Sequence, residues 1–255
     1  MKVLADVLVV CFLIVVSMGV SSHSAGAAGQ TVVTIAFDDG YADQYTVRPI
    51  LAAHGMHATF FVNSGFVGTA GYMTWAQLTD LYSDGNEIAG HTFYHTDVAR
   101  LGSAAAHHAI CDDRVILFNL GFEPTSFAYP YGSFRTASKQ AAQYCGYNSG
   151  RGDFGGLETI PPVDPYATRT FASVEANTSL ATIEGYVTQT EDAGGGWVQL
   201  VFHRVCDNCD VYSITPADFS ALLDWLQPRS ANGTVVMTTT QVIGGTVKLP
   251  VMPSR

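Results

Sequence analysis

Three groups of polar residues in the sequence have the types and spacings that metal-assisted hydrolysis requires. Asp38 and Asp39 stand together before a glycine. His91 and His95 are four residues apart, and His203 follows an apolar run. Imidazole and carboxylate groups bind divalent ions, while a further carboxylate and imidazole can serve as general base and general acid. Together these residues could activate water against an acyl group.

Each group has an ordinary structural interpretation when it is taken alone. An Asp-Asp-Gly sequence is typical of an acidic turn, and a pair of histidines is typical of a solvated helix surface. The spacing of His91 and His95 predicts that both imidazoles project from one helical face, where they could meet one ion. Because Thr92 stands where the H-E-x-x-H metalloprotease motif has glutamate, the base must come from elsewhere in the chain.

The polar groups follow segments whose composition predicts buried strands. Residues 31–37 are β-branched and almost continuously apolar, and residues 197–202 form a similar run that ends at His203. We predict further strands at 57–62, 87–90, 125–128, 169–174 and 234–238, and helices at 48–54, 75–83, 103–119, 135–145, 179–193 and 216–227. This alternation predicts βαβ units in a single α/β barrel. The candidate residues all fall at carboxyl ends of strands, where such barrels carry their chemistry.

In chain order the groups resemble the successive motifs of polysaccharide deacetylases, the NodB-homology or carbohydrate esterase family 4 enzymes. The motifs are Asp38-Asp39-Gly40, the H-T-x-x-H of 91–95, the Y-P-Y-G of 129–132 and Phe202-His203. The resemblance extends from about residue 31 to residue 240. It implies a distorted (β/α) barrel and the removal of N-acetyl groups from polymers that contain N-acetylglucosamine.

The resemblance also implies a role for each matched residue. Asp39, His91 and His95 would bind one divalent metal ion, with Zn²⁺ as the expected choice. Asp38 would act as the catalytic base, and His203 as the catalytic acid. The backbone N–H of Tyr131 would donate to the oxyanion.

The sequence departs from the family pattern at two points. Many family members have an arginine that orients the base at the start of the third motif, where this chain has Phe127-Ala128. We therefore expect Arg169, at the start of a later strand, to orient Asp38. The F-A-Y-P-Y-G form resembles the poly-N-acetylglucosamine deacetylases. No Asp-x-x-Asp-Trp motif is found, so the environment of the acid cannot be predicted.

Two alternatives stay open from the sequence. An O-acetyl esterase acting on acetylated xylan would use the same metal chemistry. A catalytically silent carbohydrate-binding protein is less favoured, because every catalytic position is filled. A serine hydrolase is disfavoured by the absence of a G-x-S-x-G sequence.

Composition limits the partners that the protein can bind. Twelve Lys and Arg residues against 22 Asp and Glu give a net charge of −10, which disfavours nucleic acid and anionic membranes. A hydrophobic content of 47% with 13% charged residues excludes a disordered chain. We expect a monomer that binds a neutral acetylated polysaccharide.

The N-terminal segment and the cysteines indicate where the protein acts. Lys2, the apolar run 7–20 and the small residues Ala25-Gly26-Ala27 predict a signal peptide at 1–27 and a secreted deacetylase domain at 28–255. Four cysteines remain after cleavage, an even number that suggests two disulfides. We favour Cys206–Cys209 with Cys111–Cys145, over a zinc knuckle or a redox motif at the C-x-x-C sequence.

Overall fold

The computed structural model describes residues 29–253, so the predicted signal peptide lies outside the described residues. The strands are β1 Thr31–Asp39, β2 Thr59–Val62, β3 Glu87–Gly90, β4 Ser126–Ala128, β5 Ser149–Gly155, β6 Thr168–Thr170, β7 Gly196–Phe202, β8 Arg204–Val205, β9 Ser213–Ile214 and β10 Thr234–Val236. The helices are α1 Arg48–His54, α2 Trp75–Ser83, α3 Ser103–Asn119, α4 Thr136–Tyr144, α5 Leu180–Asp192, α6 Pro216–Leu226 and α7 Thr239–Ile243. The predicted alternation of strands and helices is confirmed.

Eight parallel strands form one curled sheet, which confirms the predicted distorted (β/α) barrel. The order is β10-β1-β2-β3-β4-β5-β6, with β7 paired along the other edge of β1. No ladder joins β6 to β7 among the described strands. The buried side chain of Gln199 crosses this gap instead, because its amide donates to Thr168 Oγ1 (3.1 Å) and to the Arg169 carbonyl (2.9 Å). The barrel is therefore closed by a side chain where a strand pair is missing.

The main core lies between this sheet and the surrounding helices. Phe37 on β1 stacks on Phe60 of β2 at a centroid distance of 5.0 Å and also meets Phe202 of β7 at 5.5 Å. Phe219 of α6 closes over the same cluster. Burial of such aromatic side chains contributes roughly 1.5–3 kcal/mol each, so this cluster holds β1 and β7 at a fixed separation beneath the site.

Helix boundaries follow the local signals in the sequence. Thr74 and Gln77 form the capping box that opens α2, and Gly55 ends α1 in a left-handed conformation with φ of 62°. The predicted disulfides are confirmed: Cys111 on α3 is bonded to Cys145 after α4, and Cys206 to Cys209. Within residues 29–253, no helix has both the length and the apolar character needed to cross a membrane.

Strand β5 is absent from the sequence prediction, and its glycines explain why. Gly150 and Gly152 interrupt the apolar pattern that a buried strand usually shows. In the structure a Cβ at Gly150 would lie 2.5 Å from Tyr129 Oη, and one at Gly152 would lie 2.9 Å from the Phe134 ring. Both positions need glycine because aromatic rings pack directly on the backbone, a recognised use of glycine in strands.

Candidate active site

The residues singled out in the sequence meet in one cleft at the carboxyl ends of the strands. The cavity measures about 410 Å³. Its lining includes Asp38, Asp39, Tyr41, His91, His95, Tyr131, Arg151, Asp153, His203, Asp210 and Tyr212. Parallel strands place their carboxyl ends on the same edge of a sheet, which is why segments far apart in sequence share this cleft.

Three side chains in the cleft converge as the ligands of one metal ion would. Asp39 Oδ1 lies 3.4 Å from His91 Nε2 and 3.2 Å from His95 Nε2. The three ligand atoms all lie within 4.8 Å of one another. His91 donates its Nδ1–H to the carbonyl of Ala128 (2.8 Å), which leaves Nε2 directed at the carboxylate. Such a backbone bond commonly fixes the ring of a metal-binding histidine.

The electrostatics of this cluster also fit a divalent ion. Burial acts to raise the pKa of Asp39, but the His91 imidazole and the charges of His91, His95 and His203 outweigh it and lower that pKa to about 2. Burial and the charge of His91 lower the pKa of His95 to about 4. Asp39 Oδ1 is buried and has no hydrogen-bond partner in the described part of the chain. An ionised carboxylate with an unpaired buried oxygen beside a neutral imidazole is a donor set suited to Zn²⁺.

The prediction that His91 and His95 share a helical face is wrong. The residues between them form a turn after β3, in which Thr92 and His95 have φ values of 67° and 52°. The Thr92 hydroxyl accepts the Thr96 N–H at 2.9 Å and closes this turn. The imidazoles still converge, with ring centroids 4.9 Å apart, because a tight turn brings residues i and i+4 together as a helix does.

Asp38 lies beside the ligand cluster and is held by Arg151. A single nitrogen of the Arg151 guanidinium, Nη2, donates to both carboxylate oxygens of Asp38, each at 2.6 Å. Both side chains are buried, and the guanidinium also lies over the Phe61 ring at 5.0 Å. Charge-assisted bonds of this kind are short and directional, so they fix the position of the carboxylate.

The expectation that Arg169 orients Asp38 is wrong. Arg169 pairs with Glu158 instead, with Nη2 at 3.1 Å from Oε1. Its side chain is 43% exposed and lies on β6, next to the gap in the barrel. Arg151 contacts Asp38 in its place, from strand β5, which is not a neighbour of β1 in the sheet order. Sequence reasoning missed it together with β5, although an arginine between two glycines was a usable signal for a side chain in a crowded strand.

His203 and Tyr131 complete the cleft. His203 Nε2 lies 4.0 Å from Asp38 Oδ2, and its ring packs on Tyr212. Tyr131 lies on the opposite side, where its ring meets His95 at 4.5 Å. Its φ of 60° turns the backbone after Pro130 through the left-handed region that favours glycine. Strain of this kind at a non-glycine residue is typical of functional sites.

A further residue that sequence reasoning missed supports the ligand turn from below. Asp113 on α3 is completely buried, and its two oxygens accept the backbone N–H groups of Ser64 (3.0 Å) and His91 (3.2 Å). Burial raises the pKa of Asp113 to about 6. The α3 helix therefore fixes the backbone at His91 directly.

Comparisons with known proteins agree with this arrangement. The sequence pattern of the family described as Polysaccharide deacetylase matches residues 25–150. A chitin deacetylase of Arthroderma benhamiae is 32% identical over 117 residues, which are 44% of this chain and 31% of that protein. The chain spans less than half the length of the relatives that it matches in sequence.

Two solved structures share the fold over most of its length. A peptidoglycan N-acetylglucosamine deacetylase aligns with a TM-score of 0.60 at 17% identity, covering 87% of this chain and 92% of that one. A family 4 acetyl xylan esterase of Clostridium thermocellum, solved with a cobalt ion, aligns with a TM-score of 0.58 at 20% identity, covering 83% and 90%. The solved structures show that the fold is shared, and the ordered motifs with the sequence pattern matched over residues 25–150 place this part of the chain in the polysaccharide deacetylase family.

Proposed function

We propose that the protein hydrolyses N-acetyl groups of N-acetylglucosamine-containing polysaccharide with one divalent metal ion, most suitably Zn²⁺. The observation that carries this proposal is the convergence of the Asp39, His91 and His95 ligand atoms beside a buried base and an imidazole. The relatives named chitin deacetylase favour an N-acetyl substrate. The net charge of −10 is compatible with a neutral polymer.

In this proposal Asp39, His91 and His95 hold the ion through one carboxylate oxygen and two imidazole nitrogens. A divalent ion bound there supplies Lewis-acid activation of a water molecule and of the acetyl carbonyl. Asp39 is assigned to metal binding because its Oδ1 lies within 3.4 Å of both imidazole nitrogens, and its lowered pKa keeps it ionised. The proton transfers therefore belong to the other residues of the cleft.

Asp38 accepts the proton of the attacking water as the new C–O bond forms at the acetyl carbon. Arg151 holds the carboxylate in place through two hydrogen bonds from one guanidinium nitrogen. The backbone N–H of Tyr131 donates to the oxygen that becomes negatively charged. His203 then donates a proton to the nitrogen as the C–N bond breaks, so the products are acetate and the free amine.

The test is acetate release by the purified protein from chitooligosaccharide, poly-N-acetylglucosamine and acetylated xylan. Each substrate is assayed as purified, after chelation, and after Zn²⁺ is restored. We expect release from an amino-sugar polymer that stops with chelator and returns with zinc. Release from xylan alone would replace the N-acetyl proposal by the O-acetyl esterase. No release from any substrate by metal-loaded protein would favour a binding protein.

We further propose that residues 1–27 are a signal peptide and that residues 28–255 act outside the cell as a monomeric domain. The two disulfides support this, because such bonds persist in oxidising compartments. Mass spectrometry of the exported protein should give an N-terminus near residue 28. Light scattering should give the mass of one chain.

A further inference from the structure

Gln44 is a completely buried glutamine whose side chain contacts the backbone of both Asp38 and His203. It lies in the short 3₁₀ segment Ala42–Val47 that follows β1. Its amide nitrogen donates to the backbone carbonyl of Asp38 at 2.5 Å and to the backbone carbonyl of His203 at 2.7 Å. One side chain therefore contacts the residues assigned as base and acid without contacting the substrate cleft itself.

The position of these bonds is where the sheet stops holding the two strands together. Strands β1 and β7 are paired from Thr31 to Phe37 on one side and from Gly196 to Phe202 on the other. Asp38 and His203 are the next residues, and no ladder bond joins them. The two hydrogens of the Gln44 amide replace the ladder at that step, so the separation of the two carbonyls is set by one rigid planar group.

The two hydrogen-bond donors of Gln44 come with an acceptor that is not satisfied within residues 29–253. Its Oε1 atom is buried without a hydrogen-bond partner among the described residues. A buried acceptor without a partner is unfavourable, and an apolar side chain of the same length would avoid it. What an apolar side chain cannot do is donate two hydrogen bonds at once.

Asp43, the residue before Gln44, binds the two residues that follow His203. Asp43 Oδ1 accepts the Val205 N–H at 3.0 Å, and Asp43 Oδ2 accepts from Arg204 Nε at 2.5 Å. The dipeptide Asp43-Gln44 thus binds the backbone carbonyl of His203 and the backbone N–H of Val205, two residues later. Between these two contacts the His203 imidazole faces Asp38, with Nε2 4.0 Å from Oδ2.

We propose that Gln44 is a positioning residue that sets the distance between Asp38 and His203, and thereby aligns the two proton transfers of the reaction. This inference rests on the proposed function, because it takes Asp38 as the base and His203 as the acid. Gln44 itself transfers no proton and binds neither metal nor substrate.

The experiment compares two matched variants, Gln44→Met and Gln199→Met. Both glutamines are completely buried, both donate two hydrogen bonds from Nε2, and both leave Oε1 without a partner in the described structure. They differ in what they join, since Gln199 links β7 to β6 at the barrel gap. The readouts are kcat and KM for chitooligosaccharide, the pH profile of kcat/KM, zinc content, the urea midpoint, and a crystal structure of each variant.

We expect Gln44→Met to lose about 10- to 100-fold in kcat, because a displacement near 1 Å of a reacting group can have this effect. Its KM should stay within about twofold and its zinc content at one per chain, with an altered pH profile. The crystal structure should show the Asp38 and His203 carbonyls further apart. Gln199→Met should lose comparable stability while keeping kcat within about twofold of the parent.

Unchanged kcat, pH profile and carbonyl separation in folded Gln44→Met would overturn the proposal. An equal loss of kcat in both variants would also overturn it, because that result would indicate a general effect on the barrel. If Gln44→Met does not fold, Gln44→Glu carries the same test, since a carboxylate of the same size cannot donate two bonds. Should the parent enzyme release no acetate, the proposed function fails, while the carbonyl separation still decides whether Gln44 holds the two strands together.

Discussion

Two buried polar sites at opposite ends of the sheet satisfy their polar atoms to different degrees. At the amino-terminal end, Glu87 begins β3 and both of its oxygens are satisfied: Thr59 Oγ1 and the Thr240 N–H donate to Oε2, and Thr240 Oγ1 donates to Oε1. At the carboxyl-terminal end, Asp39 Oδ1 and His203 Nδ1 are buried without partners in the described structure. The first arrangement stabilises the fold, whereas the second leaves binding capacity for something other than protein.

The backbone shows the same contrast. Five non-glycine residues among those described have positive φ, and four of them lie in or beside the cleft: Asp39, Thr92, His95 and Tyr131. An L-residue in this region is destabilised by roughly 1–2 kcal/mol. The cost is concentrated at the edge where chemistry is proposed and is absent from the described strand interiors. The positive-φ residues of the described chain are therefore found mainly around the candidate site, at the carboxyl ends of the strands.

The largest effect is expected from removing a proposed metal ligand at the carboxyl-terminal end of the sheet. His91→Ala deletes a ligand whose ring is fixed by Ala128, so bound zinc should fall from one per chain to nearly none and acetate release should fall to the level of chelated enzyme. Metal analysis and acetate assays check this. His54→Ala is the matched control, because His54 binds Asp224 away from the cleft. Full zinc content in His91→Ala would contradict the ligand assignment.

Replacing the proposed base should separate chemistry from binding. Asp38→Asn keeps the shape of the side chain but removes the proton acceptor, so kcat should fall by about 10²- to 10⁴-fold. Zinc content should stay at one per chain, since Asp38 is not in the ligand cluster. Steady-state kinetics together with metal analysis test this, and an active Asp38→Asn would show that another group is the base.

The two arginine–carboxylate pairs offer a direct comparison of positioning and stability. Arg151→Met removes both hydrogen bonds that orient Asp38, so kcat should fall by about 10- to 100-fold. Arg169→Met removes the charged partner of Glu158, which keeps only hydrogen bonds from Thr159 and the residue 169 backbone, so the free energy of unfolding should fall by about 1–3 kcal/mol while kcat stays within about twofold. Kinetics and urea unfolding of both variants are needed. A large loss of kcat in Arg169→Met together with unchanged kcat in Arg151→Met would restore Arg169 as the orienting residue.

Between pH 6.5 and about 4, the affinity for the metal should depend on the release of a single proton. In the metal-free protein the carboxylates of Asp38 and Asp39 raise the pKa of His91, despite its burial, whereas the pKa of His95 is lowered to about 4. Between pH 6.5 and about 4, zinc binding therefore displaces one proton, from His91, and affinity should fall about tenfold per pH unit. Below about 4 a second proton, on His95, steepens the slope. Zinc titrations across this range measure it, and a slope of two above pH 5 would contradict it.

The smallest functional effect is expected at the amino-terminal end. Glu87→Gln replaces an acceptor oxygen by an amide that faces the Thr59 or Thr240 donors, so the free energy of unfolding should fall by about 1–3 kcal/mol. The kcat of the folded fraction should stay within about twofold. Urea unfolding and kinetics check both. A large loss of kcat without loss of stability would remove the distinction between the two ends.

The sequence predicted the fold because the apolar strands and capped helices are local signals. It predicted the meeting of Asp38, Asp39 and His203 because each follows a buried strand, and parallel strands share their carboxyl edge. The helical interpretation of the His91–His95 segment failed for a physical reason. An i, i+4 spacing is equally compatible with a turn, and the left-handed Thr92 and its hydroxyl bond to Thr96 N–H are invisible without coordinates.

Arg151 was missed for a different reason. A buried strand is recognised in a sequence by its apolar side chains. In β5 two positions are glycine, and the aromatic rings of Tyr129 and Phe134 pack directly on the backbone there. Arg169 stood in a segment that resembles an ordinary strand and was therefore favoured. Which of two arginines reaches a carboxylate across a barrel depends on strand order, a long-range property that composition and periodicity do not carry.

The Arg151–Asp38 pair has a mechanical consequence as well as a chemical one. Strands β5 and β1 are not neighbours in the sheet order, so this pair is a cross-brace through the barrel interior. The barrel lacks a ladder between β6 and β7, which makes such a brace more important to its shape. When the proposed base takes up a proton, the brace loses its ionic character at that moment. In the proposed mechanism, the ionic contact between β1 and β5 is therefore lost and restored once in every turnover.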